Sequence, residues 1–326
     1  MSETINYAIV GCGGIARAHL AAVADVPELN PIATCDIARD RAEAFADEYG
    51  AAKVYTDYEQ LAADPDVQAV SICLPHHLHR APTVACARGG KHVLCEKPME
   101  TALADADAMI AAAQDAGTVL MIGQVLRFRN ANRKAKQLIA DGAVGKPMNI
   151  LRRRYGLLKE YARAPWSADP QVAGGWVLYG YGSHEVDAIL WLLDAGADTV
   201  FAQANMNNPH WCDYDEIAIQ MRLSNGAIAT QQHTVNCPFG AWDCIVIGDE
   251  GAMRIDNGSV TVGDEQIDAP LQKDGGMREQ LEEFACAISQ GREPQASGAN
   301  VRRTMVALEA AKLSIQTGQV VDAQAM

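Results

Sequence analysis

The chain has 326 residues, 49% of them apolar, and a formal net charge of −14. Such a length supports two domains with real cores, and the acidic balance with dispersed arginines argues against a nucleic-acid partner. No apolar run is long enough to span a bilayer and the N-terminus lacks the basic-then-apolar pattern of a secretory signal, so the sequence reads as soluble and cytoplasmic, with no membrane partner. Nine cysteines, an odd number without a Cys-x-x-Cys pair, read as reduced core residues and not as staples or zinc ligands.

The first element is an apolar strand, Tyr7-Ala8-Ile9-Val10, that runs into a glycine-rich turn and then into helix-forming residues. Gly11 lets the chain turn sharply out of the strand, and Gly13 has no side chain to hold a pyrophosphate away. Ala16 stands where a third small residue lets helix and strand pack closely. Free N–H groups and the positive dipole end of the helix then face the phosphates. Glycine-rich turns are common. Context makes this one a dinucleotide loop: a second strand, Ile32-Ala33-Thr34-Cys35, ends in Asp36, where a ribose-binding carboxylate belongs. Asp36 leans the cofactor towards NAD, since a carboxylate there repels a 2′-phosphate, while Arg39 and Arg41 lie close enough to leave NADP open.

Arg39 to Tyr49 has helical spacing, Val54-Tyr55 marks a short strand, and Tyr58 with Leu61 a short helix. Ala69-Val70-Ser71-Ile72-Cys73-Leu74 is the continuous apolar run of a strand buried on both faces of a parallel sheet. It stops at Pro75, so Pro75-His76-His77-Leu78-His79 sits at a strand's carboxyl end, where ligands bind in open α/β sheets. The three histidines fit no standard metal-ligand spacing, and no metal is expected. His92-Val93-Leu94-Cys95 then delivers Glu96-Lys97-Pro98. A lysine there, its backbone restricted by the proline, can be fixed beside a reacting hydroxyl, although a surface lysine ahead of a helix has the same local pattern. Leu103 to Ala116 reads as an alanine-rich helix and Thr118 to Gly123 as the last strand of this domain, with the crossing at Gln124 to Phe128.

The succession of glycine loop, Asp36, Pro75-His76-His77-Leu78-His79 and Gly90-Lys91-His92-Val93-Leu94-Cys95-Glu96-Lys97-Pro98 resembles the glucose–fructose oxidoreductase/inositol dehydrogenase/MocA family. The resemblance implies an α/β protein with an N-terminal Rossmann domain, a doubly wound parallel sheet, over 1–124. A C-terminal α+β domain over 125–326 would hold a large, mainly antiparallel open sheet, its last helices packing back on the first domain. NAD would be held by Gly11, Cys12, Gly13, Gly14, Ile15, Ala16, Asp36 and Ile37, and further along by Leu74, Pro75, His76, His79, Glu96, Lys97, Gln124 and Arg127. Lys97 would lie beside nicotinamide and substrate. Arg127 would either brace the cofactor loop or make an interdomain ion pair.

In the second domain, Pro147 to Tyr155 begins a strand carrying Arg152, Arg153 and Arg154. Strand side chains alternate, so Arg153 points opposite to its neighbours and the three cannot act as one patch. One or two of them meeting an anionic substrate in the cleft, with Arg153 as the candidate substrate ligand, and arginines on a solvated or subunit-facing sheet are both open readings. From Trp166 onward, the stretch Ala173-Gly174-Gly175-Trp176-Val177-Leu178-Tyr179-Gly180-Tyr181-Gly182-Ser183-His184 follows, without a gap, the family's Ala-Gly-Gly-Gly-x-x-x-Asp-x-Gly-x-His helix. His184 falls on the histidine, Gly180 stands in the aspartate's place and Trp176 in that of the third glycine. On an α-helix positions 180 and 184 stack about 6 Å apart, so the sequence places an empty space where the family has a carboxylate beside the imidazole. His184 thereby loses a group that would orient its ring and raise its basicity. Tyr179 and Tyr181 flank the gap as candidate acids or bases, and Asp187 follows one turn after His184. Strands are expected over Thr199 to Ala204, Glu216 to Leu223, Ala227 to Val235 and Cys244 to Gly248, with a tight turn at Ser224-Asn225-Gly226 and amphipathic helices at Met277 to Ser289 and Val301 to Thr317. Aromatic residues on these strands suit either a sugar ring or the core.

The expected activity is an NAD-dependent oxidation of a secondary alcohol, or reduction of its ketone, in a sugar, cyclic polyol or related hydroxylated small molecule. His184 would take the proton while Lys97 steadies the oxygen. Substrate contacts are expected from Lys97, Arg153, Trp166, Trp176, Gly180, His184 and His233, with pocket shape set by the loops from Tyr155 to Trp166 and Asn205 to Asp215. The alternative suggested by Gly180 is a redox-neutral enzyme that uses tightly held NAD in glycoside cleavage or elimination, with Tyr179 or Tyr181 as acid or base. A non-catalytic nucleotide-sensing role is opposed by Lys97 and His184 occurring together. The family expectation is a homodimer or homotetramer through the C-terminal sheet.

Overall fold

The computed structural model describes residues 4–158 and 165–326, so part of the expected pocket loop between Tyr155 and Trp166 lies outside the described residues. The chain forms two compact units. One takes the chain up to Val125 together with Gly276–Arg302, and the other takes Leu126–Gly275 with the chain from Arg303 onward.

In the first unit the order is β1 (Ile5–Val10), α1 (Gly14–Val23), β2 (Leu29–Cys35), α2 (Arg39–Tyr49), β3 (Lys53–Tyr55), α3 (Tyr58–Ala63) and β4 (Ala69–Ile72), then α4 (Arg80–Arg88), β5 (His92–Cys95), α5 (Leu103–Ala116) and β6 (Leu120–Ile122). The strands pair in the order β3-β2-β1-β4-β5-β6 and every pair is parallel. All of β4 and nearly all of β1 are buried, as apolar runs covered by helices on both faces must be. The order reverses between β1 and β4, which makes the carboxyl ends of these two strands the crevice where such sheets bind ligands. The apolar stretches of the sequence therefore end where chemistry is placed.

The second unit adds α6 (Asn130–Ala140), β7 (Pro147–Leu157), α7 (Pro170–Ala173), α8 (Gly182–Leu192), β8 (Ala197–Asn205), β9 (Glu216–Leu223), β10 (Ile228–Thr234), β11 (Asn236–Gly248), β12 (Ala252–Ile255), β13 (Ser259–Val262) and β14 (Glu265–Asp268). After α9 (Met277–Gln290) in the first unit, α10 (Gly298–Thr317) is shared and β15 (Val321–Asp322) closes the second sheet. Its nine strands run β14-β13-β12-β11-β7-β10-β9-β8-β15. The sheet is mixed: β10 lies parallel to β7, and the other pairs are antiparallel. Register puts Arg154 opposite both His233 and Trp242, and Arg152 opposite Gln231 and Cys244, so these side chains share one face. Helix α8 packs on that face, against β7 and β10.

Candidate active site

Gly11 has φ +92°, and a Cβ there would lie 2.5 Å from the Cys73 carbonyl oxygen, so no other residue fits. A Cβ at Gly13 or Gly14 would meet nothing within 4 Å, which leaves open space beside the loop. The N–H groups in the first turn of α1, from Gly14 through Ala16, have no partner within the helix and are available to an anion. Asp36 is 8% exposed, and its carboxylate accepts hydrogen bonds from the amides of Cys12 and Ala38, both at 2.9 Å. The Cys12 N–H is thus committed to orienting Asp36. Arg41 stands 3.6 Å from the same carboxylate, and Ile37 beside it is exposed. An open cradle, a helix start and a fixed carboxylate at the second strand's end fit a dinucleotide with free ribose hydroxyls. Burial pushes the Cys12 and Cys35 thiols up to about 12, so the cysteine in this loop is an inert packing residue.

The Pro75-to-His79 segment divides in role. His76 is buried in a short 3₁₀ turn, and Leu74 and Pro75 lead into it. His79 is wholly buried, with one ring nitrogen 2.9 Å from the Leu74 carbonyl and the other 2.9 Å from the Pro98 carbonyl. It ties the end of β4 to the segment that carries Lys97. On the other side of Lys97, Glu96 lies 2.8 Å from His19 Nε2 and accepts from the Lys97 amide at 3.2 Å. Burial opposes its charge, but the hydrogen bond from His19 and the nearness of Lys97 prevail and hold the carboxyl below its ordinary value. His19 continues to Ser71 at 3.1 Å, and Ser71 to Tyr7. Gly123, just before the buried Gln124, leaves room for this carboxylate, since a Cβ there would lie 2.8 Å from it. Lys97 is therefore bracketed by two buried clamps. Neither pairing was visible in the sequence, because His19 and Glu96 are 77 positions apart.

In the second unit the segment expected to be a regular helix through Gly180 is not one. Trp176–Tyr181 forms a π-helical turn, entered from Gly175 at φ +98°, and regular α8 begins only at Gly182. Nor is there an empty space at Gly180. A Cβ on Gly180 would lie 3.0 Å from two carbons of the Trp176 indole, so the ring fills the volume left by the small residue. The two departures from the family pattern are complementary. The vacancy that suggested a redox-neutral alternative is closed by an aromatic ring.

Trp176 makes edge contacts with Trp166, at 5.7 Å, and Tyr181, at 5.6 Å between ring centres. Tyr181 stands 4.9 Å from His233, and Arg154 lies 4.3 Å over its ring. The result is a continuous wall of rings leading to the first turn of α8, where His184 is half-buried. His233 is buried beside Arg154, and burial followed by that charge pushes its pKa down to about 3, so the ring is neutral at ordinary pH. Glu185, next to His184, is fully buried and takes hydrogen bonds from Arg152 and Arg154, the latter at 3.1 Å. Burial alone would raise its pKa, and the two arginines lower it.

Three expected site residues are placed otherwise. Tyr179 is fully buried and its hydroxyl is 2.9 Å from Glu309 of α10; burial, then that carboxylate, raise its pKa, which makes it a packing residue and not an acid or base. Arg153 points to the opposite face of the sheet and grips Asp243 through two hydrogen bonds of 2.9 and 2.6 Å. Arg127 belongs to the second unit, where it is fully buried and pairs with Asp187 at 2.8 and 2.6 Å, with Thr304 also donating to Asp187. The pair braces the unit from within, and Asp187, engaged by Arg127 and Thr304, is not available to His184. Among the described residues no group of three His, Cys, Asp or Glu side chains could hold a metal ion, and no helix is long and apolar enough to cross a membrane.

Comparison with known proteins agrees with this fold. The model of an oxidoreductase family with an NAD-binding Rossmann fold, GFO/IDH/MocA, matches residues 5–124, and the model of a GFO/IDH/MocA C-terminal domain matches residues 132–254. The chain is 30% identical over 305 residues to 1,5-anhydro-D-fructose reductase of Ensifer adhaerens, covering 90% of this chain and 91% of that one. It is 27% identical to myo-inositol 2-dehydrogenase of Thermotoga maritima, covering 96% of each. A crystal structure of an oxidoreductase from Agrobacterium radiobacter, in complex with NAD+, L-tartaric acid and magnesium, superposes with a TM-score of 0.91 at 25% identity over 99% of both chains.

Proposed function

The chain belongs to the GFO/IDH/MocA oxidoreductase family, and from that premise we propose that it is an NAD-dependent enzyme interconverting a secondary alcohol and a ketone on a sugar, cyclic polyol or related hydroxylated small molecule. What carries the reading is the first unit's open glycine cradle with Asp36 fixed at the end of β2, joined in one chain to Lys97 at the end of β5. NAD, when bound, supplies the two-electron acceptor for the carbinol carbon.

The protein's residues do the rest. Gly13, Gly14 and the start of α1 receive the pyrophosphate, and Asp36 receives the ribose hydroxyls. Lys97, held between the His79 and Glu96 clamps, donates a hydrogen bond to the reacting oxygen and stabilises the negative charge that develops there. His184 takes the hydroxyl proton, its position set by the first turn of α8. Trp176 and Tyr181, each 7% exposed with their faces packed in the ring wall, leave only ring edges to the C–H surface of a sugar ring. Nicotinamide dinucleotide absorbance across a panel of polyols and aldoses tests this. Turnover is expected with NAD for at least one substrate. Lys97→Met should lower kcat by about 100-fold with NADH affinity within a factor of three; unchanged turnover would remove Lys97 from the mechanism.

A cytoplasmic location and self-association through the second sheet complete the proposal. Ile228 of β10 and Ile247 of β11 both pair with Asn149 and leave 45% and 43% of their surfaces exposed on the face away from α8. Light scattering on purified protein should give a dimer or tetramer, and a monomer at micromolar concentration would contradict the sheet contact.

A further inference from the structure

Building on that reading, we propose that the substrate carries a carboxylate, as a sugar acid does, and that Arg154 and Arg129 of the second unit receive it. The observation is an imbalance of charge around one ring. Arg154 lies 4.5 Å and Arg129 4.4 Å from the centre of the Trp242 indole, and Arg152 lines the same recess beside Trp242. Glu185 serves both Arg152 and Arg154. Asp243 is occupied by Arg153 and Arg254, and Asp256 by Arg254. Among the described residues, three guanidiniums around the Trp242 ring, Arg129, Arg152 and Arg154, therefore face the one carboxylate of Glu185, while Arg153 and Arg254 are matched by Asp243 and Asp256 on the opposite face of the sheet.

The one left over is Arg129. Among the described residues its hydrogen bond runs from Nε to the Gly275 carbonyl at 3.3 Å, and no carboxylate lies within 4.0 Å of it. Burial, then Arg154 and Arg152, lower its pKa to about 10 against the weaker opposing pull of Glu185. A guanidinium half removed from water next to others of its kind is costly unless an anion joins it. Both Arg129 and Arg154 are stacked on aromatic rings, which holds their planes in place and leaves edge N–H groups for a planar acceptor, the arrangement that suits a carboxylate. Arg154 also lies over Tyr181, so the charged end of this recess adjoins the ring wall assigned above to the sugar. A ligand with a hydroxylated ring or chain and a terminal carboxylate spans both features.

The test is equilibrium binding to the NADH-loaded protein of D-gluconate, D-glucuronate and D-galacturonate, each against its neutral counterpart, D-glucitol, D-glucose and D-galactose. One charged hydrogen-bonded contact predicts that at least one acid binds about 10- to 100-fold more tightly than its neutral counterpart. That preference should fall below about threefold in Arg129→Met, stay largely intact in Arg129→Lys, and weaken in salt. NADH affinity reports the folding of each variant. Absence of any acid preference, or a preference that survives Arg129→Met with NADH binding intact, overturns the proposal. Turnover on neutral polyols without acid preference would sink this inference and leave the dehydrogenase reading standing. Loss of NAD-linked turnover on both classes would sink that reading, while the binding data still decide this one.

Discussion

Replacing Gly180 with alanine should destabilise the second unit, and the cost should vanish when Trp176 is removed as well. A new Cβ would lie 3.0 Å from two ring carbons of Trp176 and 3.4 Å from a third, against about 3.5 to 4.0 Å for a relaxed carbon contact. The ring has little room to retreat, being 7% exposed and edged by Trp166 and Tyr181. Overpacking of this kind costs about 1–3 kcal/mol. Trp176→Ala alone should cost about 3–5 kcal/mol through the cavity it opens. In that background Gly180→Ala meets no ring and gains from the better helix propensity of alanine, so its cost falls to near zero. The coupling energy between the two sites is thus about 2 kcal/mol. Urea denaturation of the four proteins, read on the transition of the second unit, measures it. If Gly180→Ala costs the same in both backgrounds to within about 0.5 kcal/mol, the two residues are independent and the account of a filled gap is wrong.

Two further outcomes follow from the site. Asp36→Ser removes the carboxylate that two backbone amides orient, and the NADH-to-NADPH affinity ratio, read by nucleotide fluorescence, should fall by about 10- to 100-fold; an unchanged ratio would place the ribose elsewhere. His233 stays neutral in the folded chain down to a pH of about 3, whereas the unfolded chain protonates it near 6.5. Between those values the unfolded state binds more protons, so its contribution to stability is fully present above about pH 6.5 and is lost as pH falls towards 3. From pH 7 to pH 5 the wild type should lose about 2 kcal/mol more than His233→Gln, and parallel pH profiles for the two proteins would contradict the buried neutral ring.

Much of the fold was legible because the decisive signals are local. The continuous apolar runs of β1 and β4, the turn at Gly11 and the acid at Asp36 lie within short windows, where period and turn chemistry suffice. The alternation of Arg152, Arg153 and Arg154 was legible for the same reason. The helix α6, over Asn130–Ala140, went unread although Ala131, Ala135, Leu138 and Ile139 fall at helical spacing, since two of the four are small alanines and the buried face includes Asn132, and the short strands β12, β13 and β14 are too brief to separate from loop by pattern. The candidate site was legible in its residue types and less so in its partners. Arg127 with Asp187, Tyr179 with Glu309, and His19 with Glu96 join positions 60 to 130 residues apart, and no local pattern predicts such pairs. Gly180 was recognised as a departure, but its meaning depended on which neighbour took the space, and Trp176, four residues earlier on the same helical face, takes it.

The central claim is net transfer of hydrogen from a carbinol carbon to the nicotinamide. Its most direct test takes a substrate from the panel, deuterated at the carbon to be oxidised, and follows the label by mass spectrometry during turnover with excess NAD. One deuterium on the reduced nicotinamide for each molecule of ketone formed is the predicted result. Deuterium that stays with a rearranged or cleaved sugar, with no accumulation of reduced nucleotide, would contradict it and establish a redox-neutral cycle instead.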